Sequence, residues 1–446
     1  MAPKLRSKRG AKLTRTATRA RRRRSVPQSR KPTGARADSN GNIRVRMYRV
    51  GFGDCFLVSL PMDGGSAHIL VDCGVHSQGD LGMIPEIVDN VASECGNHLA
   101  LIIASHAHQD HISGFAKCED KFKKLNVDEV WLPWTEDPKD SLARQLKQKH
   151  LQLADSLRMH MQAMQIAVDD TPAGEALAAV MNAAGNPTAL ALLKSGVNGG
   201  TVRYLDAGKT LGDVAGIKGL TAQMLGPPRD EKFLARMDPP KGDRFFKLDD
   251  SGKPVPADPI TPFEKKWIAT AKTFPSLPSV SDAEKKTLKD TIDMAELAFA
   301  LDQAINNTSV VALLTYRGKN LLFPGDAQYG NWESWMNKPE GESILGHIDF
   351  FKVAHHGSHN ATPKSALEKM GEGFAAMIST QNRPWPSIPF KKMLVRLEQK
   401  ASAVVRSDSI KVANAKKAGP KGPDLILKPG SGFSIGPFWC DYTLAL

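Results

Sequence analysis

LALIIASHAHQDHISG, residues 99–114, is the stretch on which the reading of this 446-residue chain turns. Leu99–Ala104 is a short, continuous apolar run, the mark of a strand buried on both faces. It runs straight into Ser105-His106-Ala107-His108-Gln109-Asp110-His111. Side chains alternate along an extended backbone, so His106 and His108 share a side and can grip one metal ion. Asp110 and His111 fall where the chain turns, and can point at a second ion close by. The chain has only twelve histidines, and three of them sit here beside an aspartate at the end of an apolar strand. A chance polar loop is a poor account of that clustering. Imidazole together with carboxylate suits zinc, manganese or iron.

Working outward, other strand ends offer the remaining groups. Ile69-Leu70-Val71-Asp72-Cys73-Gly74 places a carboxylate that can orient a ligating histidine or contact the water of the site, although Asp before Gly is also a common turn. Asn320–Phe323 leads into Pro324-Gly325-Asp326, where one carboxylate can bridge two cations. Phe350–Ala354 leads into His355-His356-Gly357-Ser358. One histidine of this pair completes the second metal, with His356 favoured, and the other is free for proton transfer. His359 is close enough in sequence to contact substrate. His68, His76, His98, His150, His160 and His347 are scattered and read as surface or core residues.

The rest of the chain supplies a scaffold of strands and helices. Alternating or apolar runs predict strands at 43–50, 55–60, 67–71, 129–132, 201–205, 220–225, 309–316, 320–323, 349–353 and 375–380. Helical spacing predicts helices at 84–92, 139–167, 174–194, 282–302 and 389–400. Two strand-rich halves with flanking helices fit an α/β (α+β) class protein, an αββα sandwich, with residues 41–446 as one domain. Residues 138–200 and 228–303 read as a helical and loop insertion that caps or flanks the core.

The formal charge of +13 is concentrated in one place. Residues 1–36 carry fourteen Lys or Arg, including Arg21, Arg22, Arg23 and Arg24, and no acidic residue, while the remaining body is close to neutral. An arm so poor in large apolar side chains, residues 1–40, is expected to be disordered. Its functional reading is an anchor on nucleic acid or another polyanion, and its bland reading is a solvated tail. Five cysteines without paired spacing suggest a reducing, cytoplasmic setting. No run of 18 apolar residues is present and none follows the basic N-terminus, which argues against membrane insertion and a secretory signal.

The elements LVDCG, SHAHQDH, FPGDA and KVAHHGS occur in the order and setting of the metallo-β-lactamase superfamily. Within it, VGFGDCFLV, Asn306-Asn307-Thr308-Ser309-Val310-Val311 and Met377–Asn382 resemble the soluble hydrolase domain of the DNA-uptake competence protein ComEC and its relatives. The likeness covers roughly residues 43–132 and 305–410. It departs at Trp385-Pro386, where the subgroup typically has His-Pro, and no counterpart is evident for the third histidine that β-lactamases use on the first metal. The Asn306–Ser309 turn is a candidate to fill that gap.

The resemblance implies a dinuclear metal-dependent hydrolase with two divalent ions, zinc or manganese, held by His106, His108, Asp110, His111, Asp326 and the His355–His356 pair. Asp110, Asp72, His355 and His359 are the candidate catalytic groups, acting with a bridging hydroxide. Phosphodiester bonds in nucleic acid or nucleotides are the expected substrate. The alternatives are a small ester, lactone or amide, with the insertion as a lid, or a non-catalytic nucleic-acid-binding scaffold.

Overall fold

The computed structural model describes residues 41–166, 172–183, 185–245, 304–412 and 430–446, with residues 247–248, 254–255, 297–298, 301–302, 425 and 427. The basic arm and most of the predicted helix at 282–302 lie outside the described residues.

Two sheets dominate. The first has eight strands in the spatial order Phe433–Ile435, Trp439–Leu444, Ile43–Tyr48, Cys55–Met62, Gly65–Cys73, His98–Ile103, Asn126–Pro133 and Thr201–Leu205. The second has seven: Ala403–Arg406, Ala375–Ile378, Phe350–Lys352, Lys319–Phe323, Val311–Tyr316, Leu220–Gly226 and Thr210–Leu211. The last strand, Trp439–Leu444, returns to pair antiparallel with the first, Ile43–Tyr48. The first and last described strands are thereby neighbours in one sheet.

Period-2 patterning explains the layers. Val45, Phe56, Val58, Ile69, Val71, Leu101 and Ile103 face inward from the first sheet and meet Met224, Leu314, Leu321, Phe323, Phe350 and Met377 from the second. The opposite face of the first sheet, including Leu57, Leu70 and Ile102, is covered by helices Ile84–Glu94, Gln109–Lys117 and Pro187–Lys194. That of the second, including Leu322, Phe351 and Ile378, is covered by helices Tyr329–Met336, Pro339–Gly346, Lys364–Lys369 and Lys391–Lys400. The order is helix, sheet, sheet, helix, the αββα sandwich that the sequence predicts. The helices at 329–346 and 364–369 were not anticipated; Trp332, Trp335 and Met336 are buried there although the local sequence is rich in polar and small residues.

The predicted helix at 174–194 is two helices, Pro172–Ala183 and Pro187–Lys194, because Asn186-Pro187 restarts the helix with an Asn cap on the Ala189 amide. By length and mean hydropathy Ala176–Gly199 is apolar enough to cross a membrane, although Asn182, Asn186, Pro187 and Lys194 interrupt it and it holds no unbroken run of 18 apolar residues. Its Ala189, Leu190, Leu192 and Leu193 are instead packed into the core layer of the first sheet. Helix Ser141–Ala163 forms a satellite core with Pro172–Ala183 and with Ala298, Leu301 and Ile305.

His68 gives this scaffold a pH-dependent weak point. It is buried on strand Gly65–Cys73, with Nδ1 3.1 Å from Ser59 Oγ and Nε2 without a hydrogen-bond partner. Burial first, and the nearby Arg44 second, push it down to about 4. A histidine held neutral in the fold stabilises above its unfolded value near 6.5, and that contribution is lost as pH falls toward 4. The shift corresponds to roughly 3 kcal/mol. In chelator-treated protein, His68→Gln should shrink the stability difference between pH 7 and pH 4.5 by most of that amount, read from urea unfolding. An unchanged pH dependence would contradict it.

Candidate metal centre

The strand ends named by the sequence converge at one edge of the two sheets. His98–Ile103 ends two residues before Ser105, and helix Gln109–Lys117 begins with His108 as its N-cap. This brings Asp110 and His111 into the first helical turn, where the positive end of the helix dipole favours a carboxylate. Close packing fixes the turn. A Cβ on Gly74 would lie 2.4–2.5 Å from the Asp110 and His111 backbone, and one on Gly114 would lie 2.6 Å from Cys73 O and Sγ. The glycines of LVDCG and HISG are therefore required for strand and helix to touch.

Asp110, His111, Asp326 and His356 are all buried, with ligand atoms within 4.8 Å of one another. His111 Nε2 is 3.0 Å and His356 Nε2 3.3 Å from Asp326 Oδ2, and His356 Nε2 is 3.2 Å from Asp110 Oδ2. Next to them the His106 ring lies tilted against that of His111, 4.2 Å between ring centres, and His106 Nε2 lies 3.0 Å from His108 Nδ1. Donors around a tetrahedral zinc, at bonds near 2.0–2.1 Å, stand about 3.3 Å apart. The spacings here are of that size. Asp110 Oδ1 and His111 Nε2 are buried without a hydrogen-bond partner, so atoms suited to a cation are left unsatisfied by protein. The residues present fit a divalent metal.

Electrostatics agree. Asp54, Asp72, Asp110 and Asp326 are all buried, and the one lysine among them is Lys352. Burial alone would raise Asp110 and Asp326, but surrounding imidazoles hold both well below the usual carboxylate range. Burial alone would lower His111 and His356, but the carboxylates overcome it: Asp326, Asp72 and Asp54 hold His111 well above its ordinary value, and Asp326 with Asp110 lifts His356 to about 10. The pocket is a strong attractor of positive charge. A second grouping, Asp54, Asp72 and His111, has similar spacing. Its Asp72 is engaged, accepting from Ser105 N and Oγ at 2.7 Å each and lying 2.8 Å from His111 Nδ1, and its Asp54 forms an ion pair with Lys352 while neither Asp54 oxygen accepts a hydrogen bond. It shares His111 with the first group and adjoins it.

His355 and His356 both have positive φ, 45° and 53°, as does Asp72 at 55°. Such backbone costs about 1 kcal/mol or more per residue for a non-glycine and clusters at functional sites. Here it turns successive histidines to different sides. His356 points into the cluster with Nδ1 2.7 Å from Ser379 O. The His355 side chain is 16% exposed, with Nε2 4.0 Å from Asp326 Oδ2 and 3.4 Å from Asn306 Nδ2. The Asn306–Ser309 turn thus abuts His355 and Asp326, whose amide donates to Ser309 Oγ. His359 does not join the centre: its side chain is 62% exposed and stands 3.8 Å from Asp238, because the chain leaves the site after Gly357. Trp385 packs on Phe52 and on His76, at 4.8 and 5.1 Å between ring centres, and Phe52 lies 4.3 Å from His356. An imidazole read as scattered, His76, is therefore buried at the rim of the site.

Sequence reading missed Asp54, Lys352, Ser105 and Asp302. Lys352 Nζ lies 3.1 Å from Asp326 Oδ1 and donates to Gly325 O at 2.9 Å; a lysine inside the apolar run Phe350–Ala354 was the available signal. Ser105 joins the sheets, since its carbonyl accepts from Val310 N at 2.8 Å. Asp302 lies 3.3 Å from His108 Nε2 with no local sequence sign at all.

A small cleft of about 60 Å³ opens beside Ala107, between the first two histidines. Its walls include Thr135, Leu146, His150, Leu190 and Ile305, with Lys147 and Glu136. Glu136 holds Lys147 at 2.6 Å and Lys194 at 2.7 Å, so two cations share one carboxylate there.

No protein-family model matches the chain, and no curated protein matches it. Among solved structures it is similar to the metallo-beta-lactamase fold protein YhfI from Bacillus subtilis, at 9% identity and a TM-score of 0.33, over 81% of this chain and 95% of that chain. With so loose a superposition, the layer order and the converging strand ends of this chain itself define its fold.

Removing Lys352 tests the charge balance. Lys352→Met leaves Asp54 and Asp326 buried without their cation, and should destabilise chelator-treated protein by about 3–5 kcal/mol in urea unfolding. A loss under about 1 kcal/mol would show that the carboxylates are compensated otherwise.

Proposed function

We propose that the chain is a metal-dependent hydrolase using two divalent ions, and that its substrate is a phosphodiester in nucleic acid or a nucleotide. The observation that carries the reading is the buried Asp110–His111–Asp326–His356 group with the His106–His108 pair against it. His106 and His108 would hold one ion, and Asp110, His111, His356 and Asp326 the other. When bound, the ions supply Lewis acidity and a nucleophile at neutral pH.

This chain's own residues do the rest. Lys352 and Gly325 fix the Asp326 carboxylate, leaving Oδ2 turned toward His111 and His356. Asp72 and Ser105 fix the His111 ring from behind. His355, the partly open imidazole of the group, is held neutral at physiological pH, burial pushing it down to about 4. Its Nε2, 4.0 Å from Asp326 Oδ2, would accept a proton from, or hydrogen-bond to, a substrate group that reaches the centre. Lys147, which lines the cleft beside Ala107, suits an anionic substrate group, and the ComEC-like motifs and basic arm favour nucleic acid. The cleft's small size favours the second reading, a small ester, lactone or amide under a helical lid.

A panel of chromogenic phosphodiester, phosphomonoester, lactone and β-lactam substrates with Zn²⁺ or Mn²⁺ separates these. Phosphodiester turnover that vanishes in Asp110→Ala is expected; turnover of the lactone or ester alone would replace the substrate class, and no turnover of any would remove the enzyme reading. Deleting residues 1–40 should abolish salt-sensitive DNA binding while leaving hydrolysis of a small chromogenic diester intact. Full DNA affinity in the truncated chain would discard the arm as anchor.

A further inference from the structure

We infer that Asp302 is a positioning residue for His108, which makes the helical cap a working part of the metal centre. The inference rests on the metal-binding reading of the cluster.

The imidazoles follow one rule. Each turns one nitrogen toward the cluster and has the other backed by an oxygen. His111 presents Nε2 and has Nδ1 at 2.8 Å from Asp72. His356 presents Nε2 and has Nδ1 at 2.7 Å from Ser379 O. His106 presents Nε2 and has Nδ1 at 3.0 Å from Ser105 Oγ. His108 is reversed: Nδ1 faces the His106 nitrogen at 3.0 Å, so Nε2 points away. That Nε2 is buried and makes no hydrogen bond, and the oxygen it faces is Asp302 Oδ1, at 3.3 Å. A small ring rotation closes this contact. A carboxylate behind an imidazole keeps the proton on the far nitrogen, freeing the near one as a lone-pair donor of raised basicity.

Asp302 is itself held. Asn182 Nδ2 donates to Asp302 Oδ1 at 3.1 Å, and Asn182 Oδ1 accepts from the Gln109 amide at 3.1 Å. His108, Asp302, Asn182 and Gln109 form a closed loop joining two cap helices to the metal turn. Behind it, Leu157, Val180 and Leu301 pack the cap helices together. The region read from sequence as an insertion of no assigned role therefore reaches the first pair of histidines. It does so where no third histidine was found.

The test uses the full chain stripped of metal, titrated with Zn²⁺ against a chelating dye and with Co²⁺ by visible absorption. Asp302→Ala should weaken Zn²⁺ binding by about 10- to 100-fold and shift the Co²⁺ bands. Asp302→Asn keeps an acceptor oxygen and should recover part of the loss. Leu301→Ala loosens the same helix without touching His108; it should lower Tm and leave both metal readouts unchanged. Wild-type affinity and spectrum in Asp302→Ala would overturn the inference, as would an equal loss in Leu301→Ala. A wild-type chain that takes up neither ion would fell the metal reading with it, an outcome distinct from either.

Discussion

The structure depends on a buried excess of carboxylate. Asp54, Asp72, Asp110 and Asp326 are enclosed where the two sheets meet, and Lys352 is the one lysine among them. Burying so much like charge is unfavourable unless further positive charge enters. Imidazoles can supply it by taking protons, as the raised His111 and His356 indicate, or they can step aside for divalent ions and act as ligands. Both responses come from one negative potential, and the second would engage the buried Asp110 Oδ1 and His111 Nε2.

The sandwich exists in a form that holds this charge together. Asp72 comes from the first sheet and Asp326 from the second, and Ser105 ties them by accepting Val310 N while donating to Asp72. Asp54 reaches across from the first sheet to Lys352 of the second. The left-handed residues Asp72, His355 and His356 store strain at the same place, and close-packed glycines keep the metal turn from relaxing. Stability given up at this edge is offset by the apolar core between the sheets.

Local pattern revealed what is locally encoded. The strand at 98–103, the turn of His106, His108, Asp110 and His111, and the strand ends at Asp326 and His355–His356 each show within a few residues. The αββα layering is legible in the alternation of strands and helices together with the superfamily resemblance, although the helices at 329–346 and 364–369 on the second sheet are not. What stayed hidden is non-local. Asp302 meets His108 only through helix packing in a distant segment, and Ser105 and Ser379 act through contacts with no sequence signature. Lys352 was visible as an odd residue in an apolar strand, but its partner Asp54 reads as an ordinary turn residue. His359 lies outside the buried cluster, since closeness in sequence does not fix direction once the backbone turns at Gly357.

The most direct measurement is the divalent-metal content of the dialysed full chain by elemental analysis, with Tm before and after chelator, for wild type and Asp326→Asn. The account predicts two ions per wild-type chain, a chelator-induced fall in Tm, and reduced occupancy in the variant. A wild-type chain that holds no metal and melts at the same temperature with and without chelator would contradict it.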